Sequence, residues 1–247
     1  MQKLYEKSEI WFSVVWIIVY VIGTSIADVL SEKTGVTKSI TLVYLIVLCG
    51  AAFFWVRKNS LYNKYGLCKT DIKASRFLYY IPLFVMISCN LWFGTAQNLE
   101  LAEVCFYIGS MLCVGFLEEL IFRGFLFKAM CRDSVKAAII VSSLTFGIGH
   151  IVNLVNGSGA DLIANLCQVC YATVTGFLFV IIFHRGKSLW PCIVTHGVFN
   201  ALSVFGGEEG VTNEEQMVAA LLLMVIAGGY ALILLKTLPT GKELSES

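Results

Sequence analysis

The chain is short of charge. Asp, Glu, Lys and Arg make up 14% of its 247 residues, against roughly a quarter in soluble globular proteins. That scarcity excludes a disordered chain and a nucleic-acid-binding one, both of which depend on charge. There are only three prolines and three histidines, so few positions can break a helix and each imidazole stands out. No repeat of fixed period and no low-complexity tract occurs, which leaves one helical domain over residues 1–247 as the natural organisation. A polar stretch of even about 50 residues, the least a separate soluble domain needs, is missing as well.

Apolar residues fill the space. They make up 57% of the chain, mean hydropathy is +0.78, and long runs lack Asp, Glu, Lys and Arg. A membrane helix needs about 20 such residues. Runs from Ile10 to Ala27, Ser39 to Val56, Phe77 to Leu99, Ala137 to Ala160, Leu162 to Phe183, Ser188 to Gly207 and Gln216 to Leu235 meet that need. An eighth, Val104 to about Phe127, spans only by carrying Glu118, Glu119 and Arg123 in its interior. The pattern predicts an all-α polytopic membrane protein of about eight helices. The first run follows Lys3 and Lys7 and closes on Ser25-Ile26-Ala27, so it also fits a signal peptide. Nine cysteines fall mostly inside the apolar runs, where a thiol behaves as a small hydrophobe. We read them as reduced, and the Cys167-x-x-Cys170 pair as packing rather than redox chemistry.

Basic residues are enriched in cytoplasmic loops, and this orients the helices. With eight spans and the N-terminus inside, fifteen of the 18 cations fall on the cytoplasmic side, most densely from Arg57 to Arg76. Only Lys33 and Lys38 fall outside, together with the acidic connection of Glu208, Glu209, Glu214 and Glu215. Both termini are therefore expected in the cytoplasm.

Ionisable groups at bilayer depth cost several kcal/mol unless they face a partner or a water-filled cavity, which makes them functional candidates. Glu118, Glu119, Arg123, His150 and His196 are of this kind, joined by the amide of Asn200. Glu119 and Arg123, four apart, share a helix face and can pair. Glu118 points about 100° away and lacks a local counter-ion. Burial and a like-charged neighbour are what turn a carboxylate into a general base. A structural Glu–Arg pair with Glu118 facing solvent is the plainer alternative. In Phe146-Gly147-Ile148-Gly149-His150 two glycines thin the helix before the imidazole, so that a backbone or substrate can approach. His196 and Asn200, again four apart, offer two adjacent hydrogen-bond donors suited to an oxyanion or to helix packing. Depth is less consistent. At about 1.5 Å per residue, His196 lies about 9 Å from an inner boundary at Trp190, and His150 about 21 Å from Lys136. His184, beside Arg185 and Lys187, reads as interfacial.

Taken together, Glu118-Glu119-x-x-x-Arg123, Phe146-x-x-x-His150 and His196-x-x-x-Asn200 resemble the motif set of the CAAX protease and bacteriocin-processing (ABI) family of intramembrane proteases. The motif-bearing core covers about residues 104–207, and the first hundred residues supply hydrophobicity rather than matched positions. The resemblance implies Glu118 as the base that activates water, His150 as a helper holding that water, and His196 and Asn200 as oxyanion stabilisers. Glu119, Arg123 and Phe146 would support them. It implies an endopeptidase acting on a membrane-associated peptide or protein, with or without a lipid modification, in a cell membrane, with the short loops closest to bacterial plasma-membrane members. No cofactor is expected. The alternative is zinc held by Glu118, His150 and His196 as a His₂Glu set, although no H-E-x-x-H occurs. Two other classes remain: a proton-coupled transporter, since buried Glu and His also mark such pathways, and a non-catalytic scaffold or immunity factor.

Overall fold

The computed structural model describes residues 1–95, 100–155, 162–206 and 211–239. Helices account for nearly all of this, and the sole β-type pairing among the described residues is an isolated bridge between Thr95 and Gly206. The run ends foreseen at Leu99, Ala160 and Gly207, together with Glu208 and Glu209, lie outside the described residues.

Eight helical segments follow one another as the apolar runs require. After a short lead-in helix, Gln2–Lys7, come α1 (Glu9–Thr34) and α2 (Ser39–Lys58). The Ser8 hydroxyl accepts from the Trp11 amide to start α1, and Gly35 ends it at φ +74°, a left-handed position that glycine fills without steric cost. Next are α3 (Ile81–Ile87), α4 (Leu101–Met130), α5 (Val135–Gly149), α6 (Leu162–Gly186), α7 (Trp190–Leu202) and α8 (Asn213–Thr237). Ser134 caps α5, and a reciprocal Thr212–Glu215 capping box starts α8. Five of these helices, α5 with its continuation to Leu154, and the kinked segment Ala74–Leu91 that contains α3 are long and apolar enough to cross a membrane; α7 is shorter. The protein is a polytopic helical membrane protein.

The third run departs from expectation. A helix from Phe77 to Leu99 was foreseen, yet Leu78, Tyr79 and Tyr80 take positive φ and the regular helix begins only at Ile81. Pro82 sits in its first turn, where the missing N–H costs nothing, and a tighter 3-10 turn, Ser88–Leu91, closes it. α7 is built in the same way, opening on Pro191 and closing in the 3-10 turn Ser203–Phe205. These two short segments pack together, and the Asn90 side chain donates to the Phe199 carbonyl at 2.6 Å.

α4 is the axis of the bundle. It is α-helical to Glu118 and then widens into π-helical turns over Glu119–Phe127, in which all nine residues are buried. A helix buried all round is one that others surround, and π-turns concentrate at functional sites. The Ser142 hydroxyl of α5 donates to the Phe122 carbonyl at 2.9 Å, giving a partner to backbone in the widened stretch.

The two ends of the bundle differ. At one end Glu9 accepts from Lys64 at 2.6 Å and Arg132 at 3.2 Å, Arg76 reaches the Thr237 carbonyl, and Arg185 reaches that of Leu238. At the other end Thr37 donates to Glu103 and Lys38 pairs with Asp28 at 2.8 Å. The basic segments thus gather on one side, as the charge count expects. With the nine native cysteines replaced, a membrane-impermeant thiol reagent should modify Ser60→Cys only from the cytoplasmic face and Thr37→Cys only from the opposite one. Labelling of both from the same face would refute the topology.

Candidate active site

The site forms where α4, α5 and α7 meet around the switch from α to π winding. Glycines set the spacing. A Cβ on Gly115 would stand 2.5 Å from the Gly197 nitrogen and 2.6 Å from its Cα, so α4 and α7 touch backbone to backbone one turn before the two glutamates. This small-residue crossing carries His196 onto the glutamate pair. On α5, Gly147 serves the purpose foreseen for it: Thr173 and the Val169 carbonyl of α6 occupy the space a Cβ would need. Gly149 has no neighbour within 4 Å of such a Cβ.

Glu119 and Arg123 form the foreseen pair, with Nη1 to Oε1 at 3.0 Å and both side chains fully buried. The pairing extends further than the sequence indicated. His196 Nδ1 lies 2.8 Å from the same Glu119 Oε1, so one carboxylate oxygen holds two partners from two helices. The guanidinium carbon lies 3.9 Å from the centroid of the Phe146 ring and 5.6 Å from that of Phe179, cation–π contacts that strengthen when dry. Gly176 leaves room for it, since a Cβ there would meet Arg123 Nη2 at 3.2 Å. Phe146 therefore joins the groups: its ring stands edge-on to His150 at 5.0 Å and to His196 at 5.6 Å.

Glu118 has a different environment. Its side chain is 15% exposed, whereas Glu119 is sealed. Its Oε2 lies 3.7 Å from His196 Nε2, beyond hydrogen-bond length, so it is not committed to the ring. Its Oε1 accepts a 2.6 Å hydrogen bond from the Tyr20 hydroxyl of α1. Sequence reasoning missed Tyr20, Gly115 and Gly176. A tyrosine in an apolar run reads as packing, and only Gly115, just ahead of the motif, gave any signal.

The hydrogen bonds fix the ring nitrogens. Glu119, bonded by Arg123, can only accept, so His196 Nδ1 donates to it and Nε2 is the free nitrogen. His150 Nδ1 faces the Phe146 carbonyl at 3.0 Å and donates by the same reasoning. A neutral His196 thus has no second proton to offer an oxyanion. With Nδ1 committed to Glu119, His196 donates from Nε2 only when both ring nitrogens carry a proton.

The conflict in depth disappears. His150, His196 and Asn200 together line a cavity of about 50 Å³ walled also by Phe146, Phe179 and Phe199, room for very few waters. Trp190 was a poor marker of the boundary, because α7 starts recessed. Ser188 and Leu189 are buried, Ser188 donating to the Cys68 carbonyl and Leu189 to that of Gly66, with Tyr65 and Leu67 packed over them. Glu118 is not among the residues that line this cavity; its Oε2 faces Nε2 of His196, which does line it, at 3.7 Å. Among the described residues no three His, Cys, Asp or Glu side chains are arranged to hold a metal ion. Cys167 and Cys170 are both free.

Carboxylates, imidazoles and an amide thus converge inside the bundle of a polytopic helical membrane protein. Residues 100–202 match the family model described as type II CAAX prenyl endopeptidase Rce1-like. The match falls on the segment that carries the motifs and agrees with the family they resemble, and it supports a membrane peptidase with a peptide substrate. No curated protein matches the chain.

Replacing Gly115 with alanine should force α4 and α7 apart. We expect a loss of about 1–3 kcal/mol, the usual cost of overpacking, measured by thermal unfolding in detergent, together with a loss of cleavage. A Gly115→Ala protein as stable and active as the parent would show that the crossing does not set the site.

Proposed function

We propose that the protein is an intramembrane glutamic endopeptidase that hydrolyses a peptide bond in a membrane-associated peptide or protein, with Glu118 as the general base. One observation carries this reading: of two adjacent carboxylates, Glu119 is sealed and held through one oxygen by Arg123 and His196, while Glu118 is partly exposed and its Oε2 is open to water. Only the second can meet water and take its proton.

In this mechanism water attacks the carbonyl carbon, forming the C–O bond as its proton passes to Glu118. The charge on the carbonyl oxygen is met by the Asn200 amide and by His196 in its imidazolium form, aimed from a low-dielectric wall where such donors act most strongly. His150, on the same cavity wall, holds the water. Collapse of the intermediate breaks the C–N bond, and the proton held by Glu118 goes to the leaving amine. Arg123 and Phe146 keep Glu119 and His196 in place. This mechanism uses no metal. The substrate would be peptidic and membrane-bound, its lipid modification open, and the membrane a bacterial plasma membrane with both termini cytoplasmic.

Glu118→Gln keeps the volume but cannot take the proton. It should lower kcat by 10²-fold or more, the usual contribution of a positioned base, and leave unfolding temperature and membrane insertion unchanged. The substrate is found by comparing membrane peptides of cells carrying the parent or the Glu118→Gln protein by mass spectrometry, then assayed with purified protein. Retained cleavage by the variant would sink the mechanism. Prolonged treatment with a strong chelator should leave the parent's activity unchanged. Activity lost on chelation and restored by zinc would decide for a metalloprotease.

A further inference from the structure

We infer that Tyr20 is a positioning residue for the Glu118 base, contributed by a helix outside the segment that matches the protease family. The inference rests on the proposed role of Glu118. The Tyr20 ring is buried, 7% exposed, and its hydroxyl donates to Glu118 Oε1 at 2.6 Å across 98 positions of chain. That length is typical of a charge-assisted O–H···O⁻ bond, which is stronger than a neutral one. The bond divides the carboxylate. Oε1 is held by Tyr20, and Oε2, facing His196 Nε2 at 3.7 Å, is the oxygen left to accept a proton. Without the hydroxyl, the carboxylate can rotate about its last torsion, which is broad and has no preferred well of its own.

The hydroxyl is delivered by a helix fixed on both sides of it. Toward the basic end, Phe12 and Trp16 of α1 pack with Phe125 of α4 at 5.1 and 5.8 Å, and Phe12 with Trp55 of α2 at 4.4 Å. Toward the other end, Asp28 accepts from Thr41 at 2.6 Å and Lys38 at 2.8 Å, and Ser31 meets Thr41 at 3.1 Å. Between the two anchors, the Tyr44 hydroxyl of α2 donates to the Val19 carbonyl at 2.7 Å and fills the space beside Gly23. Packing alone would be served by phenylalanine. A hydroxyl placed on the carboxylate of the base serves orientation, because a catalytic group must be held near its productive geometry by its supporting contacts.

The test uses the full chain in detergent and the membrane peptide whose cleavage depends on Glu118. Tyr20→Phe retains the ring and removes only the donor. We expect kcat to fall roughly ten- to a hundredfold, the worth of one hydrogen bond to a charged group, with KM and unfolding temperature unchanged. In the Glu118→Gln background the same change should have no further effect on residual rate, since Tyr20 acts through that carboxylate. Parental kcat in Tyr20→Phe, with Glu118→Gln inactive, would overturn this inference and leave the proposed function standing. A change confined to stability or KM would overturn it too, by showing a structural role. Cleavage retained in Glu118→Gln would instead defeat the proposed function itself. Active protein whose N-terminus, read by mass spectrometry, begins after Tyr20 would also refute the inference.

Discussion

Everything in the site depends on keeping one carboxylate charged where no water reaches it. Glu119 and Arg123 are both fully buried, and removing a partner from such a pair costs about 3 to 5 kcal/mol because the remaining charge is stranded. The structure answers with more than the ion pair. His196 binds the same oxygen from α7, Phe146 and Phe179 face the guanidinium, and Gly176 makes room for it. These contributors come from α5, α6 and α7, so housing the Glu119–Arg123 pair also fixes how those helices pack on α4.

The chemistry grows out of that constraint. Because Glu119 accepts a hydrogen bond from His196 Nδ1, Nε2 is turned toward Glu118. Because Glu119 is sealed from solvent and its neighbour is 15% exposed, the neighbour is the carboxylate that water can reach. Two adjacent residues of one type thus acquire opposite tasks through their surroundings, one anchoring and one available, as in other active sites where environment assigns the roles. The π-wound stretch that begins at Glu119 places this division at the point where the central helix widens.

Much of this was legible in the chain. Runs of about 20 apolar residues can satisfy their backbone in lipid only as helices, and this is why the helices appear in the expected order. Charged residues at depth demand partners, which singled out Glu118, Glu119, Arg123, His150 and His196. The Glu119–Arg123 pair followed from four-residue spacing alone. The third helix was misread because hydrophobicity reports burial and is silent on φ: the reversal at Leu78 to Tyr80 lies inside an unbroken apolar run. The depth of His196 was misjudged because counting residues assumes a common starting plane, and α7 starts beneath the segment around Gly66.

The sequence by itself determined the class of fold, the polar residues that had to find one another, and the family its motifs resemble, because helix period and the cost of buried charge are local rules. Tertiary structure alone decided that His196 binds Glu119, that Tyr20 holds Glu118 from a helix 98 residues away, and that Gly115 and Gly197 bring the backbones together. Those contacts join residues distant in the chain. Their geometry is set by how whole helices cross, a property that no window of sequence contains.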